Sequence, residues 1–203
     1  MTLYNLEGES KEKNTYSEID YLLYKICFHC APTLKKKKPA SLMCFKNSKS
    51  AQMRELWHKH KNEIARILGC DFYELKVCHQ GINVLFYQRE FLNRVLTCPK
   101  TMSYIKQHGY SEGLTLEKKL SVLKDHYREG CPHEIGIFLG YPLSDVVAFN
   151  SPNKDKSIGC GYWRVYSDLE KAQKTFNLYD ECRAYFVQAF AEGNRPFDLF
   201  WAC

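Results

Sequence analysis

Residues 73–87 constrain this chain most. Tyr73-Glu74-Leu75-Lys76-Val77 alternates in polarity, His79-Gln80-Gly81 supplies a turn, and Ile82-Asn83-Val84-Leu85-Phe86-Tyr87 returns with β-branched and aromatic residues. Strands joined so closely pair antiparallel. Ser41-Leu42-Met43-Cys44-Phe45 reads as a short buried strand, and Gly161-Tyr162-Trp163-Arg164-Val165-Tyr166 has the composition of another. Most of the remaining chain carries helical spacing, so the expected fold is α+β: a small, mainly antiparallel sheet of three to four strands covered by several helices.

The helices are punctuated by their own residues. Tyr21, Leu22, Tyr24, Ile26 and Phe28 predict a first helix that is apolar on more than one side and ends before Pro32, because proline disfavours helical geometry in the residue preceding it. Leu56, Ile64, Ile67 and Leu68 mark an amphipathic helix closed by Gly69. Helical segments follow over 89–97, through Tyr104, and over 115–129. Pro132 and Pro142 each stand where a short helix would start, and Ser167-Asp168-Leu169-Glu170 reads as a capping box opening a long final helix. Residues 1–16 are polar and patternless, an expected disordered N-terminal arm before a single α+β domain over 17–203. An apolar tail at Phe197 to Cys203 could dock elsewhere if the protein is an interaction partner.

Charge excludes some functions. The formal balance is +6, and much of the excess is the run Lys35-Lys36-Lys37-Lys38. A dedicated nucleic-acid binder would carry a larger basic face with interleaved aromatics. No run approaches the ~18 apolar residues of a membrane span, and the first residues lack the basic and apolar regions of an export signal. The expectation is a soluble, cytoplasmic protein whose ten cysteines are reduced thiols.

Three thiol chemistries compete for those cysteines. Cys27-Phe28-His29-Cys30 has dithiol spacing but sits at the C-terminal end of its helix, where the dipole disfavours a thiolate. Cys27, Cys30, Cys44, Cys160 and Cys182, with His29 or His133, could furnish a zinc or iron–sulfur site, since thiolates suit both, although the chain has one CxxC and no matching pair; Cys30, Cys160 and His133 are the leading candidates. Cys30 with His29, His133 and Glu134 could instead make a nucleophile, base and orienting carboxylate. Against all three stands burial of unreactive cysteines, the common fate of such residues.

His29-Cys30-Ala31-Pro32-Thr33-Leu34, Lys38-Pro39-Ala40-Ser41-Leu42, Pro132-His133-Glu134-Ile135-Gly136-Ile137-Phe138-Leu139-Gly140-Tyr141-Pro142 and Cys160-Gly161-Tyr162-Trp163-Arg164-Val165-Tyr166 resemble the marker segments of domain-of-unknown-function family 3793, a bacterial family of about this length. The resemblance covers nearly everything after the N-terminal arm. It implies no reaction, but it does imply that Cys30, Lys38, His133, Glu134, Gly140, Tyr141, Asp145, Cys160 and Trp163 belong to the family's pattern.

The expectation formed from residues and resemblance together is a small thiol-dependent enzyme. Cys30, His133 and Glu134 would be catalytic, while Lys38, Tyr141 and Trp163 would hold an anionic small molecule. The alternatives are a metal- or cofactor-binding module, with Cys30, Cys160 and His133 as candidate ligands, and a structural or interaction protein. The sequence identifies no cofactor and no protein partner.

Overall fold

The computed structural model describes residues 17–47, 52–79, 81–151 and 156–201. The expected arm over 1–16 lies outside the described residues, as do Gln80 in the hairpin turn and Cys203. The expected α+β class is what the chain adopts. Its main sheet has three antiparallel strands, β1 (Ala40–Phe45), β2 (Asp71–Cys78) and β3 (Gly81–Tyr87), in the order β1-β3-β2.

β3 is central, and its two-residue period feeds two cores. Ile82, Val84 and Phe86 join Met43 and Phe45 in a first apolar cluster. Leu85 and Tyr87 point the opposite way, into a second cluster that also takes Ala40. A near-continuous apolar strand therefore works here because helices cover both faces. The register slips between Glu74 and Lys76, leaving Leu75 as an extra residue at a bulge, its side chain buried in the second cluster.

On the first face lie α1 (Glu18–Leu34) and α2 (Met53–Leu68). Ser17 caps α1 by accepting from the Asp20 amide. Leu22, Leu23 and Ile26 are fully buried, each worth roughly 1.5–3 kcal/mol over exposure. Pro32 does not end α1 as the sequence suggested; it lies inside the last turn. The helix then closes within the lysine run. The Lys37 amide donates to the Pro32 carbonyl at 2.7 Å and the Lys36 amide to the Thr33 carbonyl at 3.0 Å, with Lys36 at φ +56°. That bond pair is the Schellman cap, built here on a lysine where glycine is usual.

The second face carries α3 (Arg89–Thr97), α4 (Pro99–Ile105), α5 (Leu116–His126), α6 (Ile135–Phe138) and α7 (Leu143–Asn150). The expected fourth strand over 161–166 is instead a small separate hairpin, β4 (Gly159–Cys160) with β5 (Arg164–Val165), and the aromatic residues between form its bend. Trp163 turns inward to pack on α8 (Leu169–Ala191) with Phe176 and Tyr179. The cap of α8 is Asp168, which accepts from the Lys171 amide, one residue later than the expected Ser167; Ser167 is already engaged with Asp145. Farther along, α8 packs on the first cluster through Cys182, Phe186 and Phe190. The last helix, α9 (Asp198–Trp201), returns the tail to the same cluster, where Phe197, Leu199 and Phe200 are partly buried.

Candidate functional site

Residues 131–149, a continuous stretch that includes α6 and α7, meet the β4–β5 hairpin here. The Ile135, Gly136 and Ile137 amides bond back to the carbonyls of Pro132, His133 and Glu134, so Pro132 to Glu134 form a tight turn leading into α6. A side chain on Gly136 would place its Cβ 2.9 Å from Val146 and 3.2 Å from Tyr141, so glycine there lets α6 approach α7 closely. Gly140, at φ +76°, turns the chain where a Cβ would strike Pro39 at 2.6 Å.

Asp145, 3% exposed in the first turn of α7, fixes that hairpin in place. Its Oδ1 accepts from the Tyr166 and Ser167 amides and the Ser167 hydroxyl, and its Oδ2 accepts from Trp163 Nε1 at 2.8 Å. Four donors occupy this carboxylate, which makes it a clamp between α7 and the β4–β5 hairpin. The clamp sets the Trp163 ring against Tyr141 in a stacked arrangement, with centroids 5.1 Å apart and planes inclined by 29°.

These segments enclose a cavity of about 420 Å³ whose walls include Ile135, Val146, Phe149, Tyr141 and Trp163. His133 lies edge-on to Phe149, with centroids 5.6 Å apart, and Arg164 completes the wall. The surface is thus mainly apolar and aromatic, with few polar groups, the usual construction of a small-molecule pocket.

Cys131, Pro132 and His133 also form one side of a second, more polar hollow of about 790 Å³, shared with His126, Glu134 and Asn150. Here Glu134, only 3% exposed, accepts from His126 Nδ1 at 2.5 Å and from the Tyr110 hydroxyl at 3.3 Å. The glutamate is therefore engaged by His126 rather than by its sequence neighbour His133. Burial and the neighbouring Glu134 push the Tyr110 phenol far up, which keeps it protonated as a donor. Cys131 is exposed, with Sγ 3.4 Å from the Tyr127 hydroxyl.

The residues singled out in sequence fall into two groups. His133, Tyr141 and Trp163 line the cavity together, and Glu134 faces the adjoining groove. Cys30 is fully buried in the first cluster beside Cys27 and Cys70. Burial drives the Cys30 thiol far above its ordinary value, reinforced by Cys70 and opposed by Lys38. Lys38 is 7% exposed, its Nζ 5.5 Å from the Tyr141 ring and 5.6 Å from the Tyr179 ring. Burial brings its ammonium down to about 8, against the upward pull of Cys30. Lys38 thus touches the back of the pocket aromatics without lining the cavity.

Among the described residues, no three His, Cys, Asp or Glu side chains form a group able to hold a metal ion. Cys30, Cys160 and His133 are accordingly not brought together as ligands. Cys160 is exposed in β4.

Sequence reasoning missed Cys131, His126 and Arg164. Cys131 stood directly before the densest motif, which begins at Pro132, and Arg164 directly follows Trp163. His126 had no local signal, because a tight turn after α5 is what returns Glu134 to it.

The model of the family described as Protein of unknown function (DUF3793) matches residues 26–200, in keeping with the resemblance of the marker segments. No curated protein and no solved structure matches the chain. No described helix is long and apolar enough to cross a membrane.

Proposed function

The chain belongs to the DUF3793 family of unknown function, and from that premise we propose that it binds a small anionic molecule with a flat, apolar body in the Tyr141–Trp163 cavity. The observation that carries this reading is the convergence of the family's PHEIG, LGYP and YWR segments on one largely apolar hollow of about 420 Å³. A pocket of that size takes a drug-sized ligand, and its aromatic walls favour a ring or conjugated chain. Arg164, exposed on the same wall, supplies the charge that meets the anion. That role passes to Arg164 because Lys38 is shut behind Tyr141 and loses charge readily.

An enzyme built on Cys30 is less favoured by the same geometry. A nucleophilic thiol must reach substrate as thiolate, and burial holds Cys30 protonated. A metal module lacks a converging ligand set among the described residues. A docking role for the C-terminal tail is disfavoured by its packing on the chain's own core.

The probe that tests the reading is 1-anilinonaphthalene-8-sulfonate, a flat apolar anion whose fluorescence rises on leaving water. Native protein is expected to bind one equivalent, and Arg164→Gln is expected to weaken binding roughly 5–10-fold, the loss of one charge-assisted contact of ~1–1.4 kcal/mol. Trp163→Phe should weaken it further by freeing the wall from Asp145. Absence of one-to-one binding, or binding indifferent to both substitutions, would overturn the proposal.

A further inference from the structure

A hollow of about 570 Å³ lies on the second face of the sheet, between α3 and the start of α5, and shares no residue with the Tyr141–Trp163 cavity. We propose that it binds the carboxylate of a small, singly charged molecule, with Lys119 supplying the charge and the open amide end of α5 the hydrogen bonding.

Lys119 stands in the wall of this hollow and is only 2% exposed. Its ammonium makes no hydrogen bond or ion pair with any described residue. The other cations nearby are taken: Arg89 pairs with Asp71 at 3.0 Å and with Glu117, and Lys106 pairs with Glu112. Burial alone bears on Lys119, holding its ammonium below the ordinary lysine value. Charges enclosed in a protein are ordinarily paired, because an uncompensated one forfeits its hydration. A lysine that merely covered apolar surface would carry its head out to water, and the area left to Lys119 is too small for that.

The ammonium is not sealed in. Among the described residues, the enclosed side-chain atoms without a partner are Asn150 Oδ1 and Arg183 Nε, and Lys119 Nζ is neither. It therefore opens, unpaired, on the hollow that its own side chain helps to wall. Helical side chains lean toward the helix N-terminus. From the fourth position of α5 the lysine runs back toward Thr115 and Leu116, which line the same hollow.

That end of α5 has a donor to spare. First-turn amides have no acceptor within their own helix. The Glu117 amide is taken by its own carboxylate and the Lys118 amide by the Thr115 hydroxyl oxygen at 3.3 Å, which leaves the Leu116 amide for a ligand. The positive end of the helix dipole falls at the same point. Asn93, on the α3 wall, adds a side-chain amide with no described partner.

Charge on the rim selects the class of ligand. Glu90 and Glu112 also line the hollow; Glu112 is offset by Lys106, and Glu90 has no cation of its own. One free cation beside one free carboxylate suits a singly charged anion and works against a doubly charged one. Met102 and Leu116, both buried, offer apolar contact to a short aliphatic body.

NMR titration of the isotope-labelled full chain with butyrate, at constant ionic strength, tests the site. The Leu116 amide and the Lys119 ammonium resonances should shift together and saturate at one midpoint. Lys119→Met, which keeps the bulk of the buried stem, should raise that midpoint about 10-fold or more, the loss of a hydrogen bond to a charged group. Asn93→Ala changes an exposed residue, so it tests the site even if Lys119→Met does not fold; it should raise the midpoint roughly 2–5-fold. Sulfate should bind more weakly than butyrate. An unmoved Leu116 amide or Lys119 ammonium, a midpoint indifferent to both substitutions, or sulfate binding as tight as butyrate would overturn the proposal. So would a butyrate response confined to the Trp163 indole, which reports on the aromatic cavity instead.

Discussion

Two regions of this molecule hold the same chemical groups in opposite circumstances. Around Cys30, the thiols of Cys27, Cys30 and Cys70 and the ammonium of Lys38 are enclosed between α1, the sheet and α8. Around Cys131, a thiol, three imidazoles and four carboxylates border open hollows. In the first region burial raises every thiol, with Cys70 at about 12, and lowers the lysine to about 8, so each group is driven toward its neutral form. In the second, both enclosed carboxylates are satisfied, Glu134 by His126 and Tyr110 and Asp145 by Trp163, Tyr166 and Ser167. Reactivity follows enclosure and pairing rather than residue type, which is why the more conspicuous cysteine motif is the quieter one.

The largest expected effect is a direct contrast of the two thiols. In the folded protein, alkylation of Cys27 and Cys30 should be on the order of 1,000-fold or more slower than that of Cys131, because fully buried thiols react only through opening of the core. Labelling followed by peptide mapping checks it, and the contrast should vanish in denaturant. If Cys30 labels as quickly as Cys131 in native buffer, the two regions are not distinct and the dithiol reading returns.

A second prediction sharpens the contrast through Lys38. Its folded value of about 8 lies below the ordinary lysine value of ~10.4, so the unfolded chain holds more protons between those limits and stability from this group rises with pH across them. Below about pH 8 the buried ammonium costs on the order of 3 kcal/mol, by the linkage of about 1.4 kcal/mol per unit. Lys38→Met should therefore stabilise the protein at pH 7 by up to that amount, less any loss of the contacts with Tyr141 and Tyr179, and the gain should shrink toward pH 10. Urea unfolding of both proteins at several pH values measures it. A Lys38→Met protein less stable than wild type at pH 7 would mean that the ammonium has a partner the enclosed region was not credited with.

Much of the fold was legible because local signals agreed with the tertiary outcome. The hairpin over 73–87 follows its strand pattern and turn, the helix ending at Gly69 obeys period and cap together, and the helix over 89–97 stops where Cys98-Pro99 turns the chain. Where reading failed, a tertiary bond competed with a local one. Ser167 could not cap α8 because Asp145 had taken it, and Pro32 could stay helical because its lost donor falls in a last turn closed by other bonds. The hairpin at 159–165 broke the expected strand because Trp163 gained more from Asp145 and Phe176 than from a sheet. In the candidate site, His133, Tyr141 and Trp163 were legible as residues in dense motifs. The pairing of Glu134 with His126 was not, since it depends on a turn whose direction no local pattern encodes. The burial of Cys30 was hidden for a similar reason, because α1 is covered from two sides by elements far along the chain.

The smallest expected effect tests whether the enclosed region can be tightened without touching the open one. Lys36 caps α1 in the left-handed region, φ +56°, where a Cβ crowds the following carbonyl. Lys36→Gly removes that strain, while the added freedom of glycine in the unfolded chain offsets part of the gain. The net should be a stabilisation of about 0.5–1 kcal/mol, a rise of roughly 1–4 °C in Tm for a chain of this size. Lys36 is exposed, so no core contact is lost and the amide bonds of the cap survive. The same substitution should slow the residual labelling of Cys30, which α1 shields, in proportion to the gain, and leave the Cys131 rate unchanged. A parallel change at Cys131 would mean that the two regions open together, as one cooperative unit, and that the quiet thiols and the exposed one differ only in their distance from the surface.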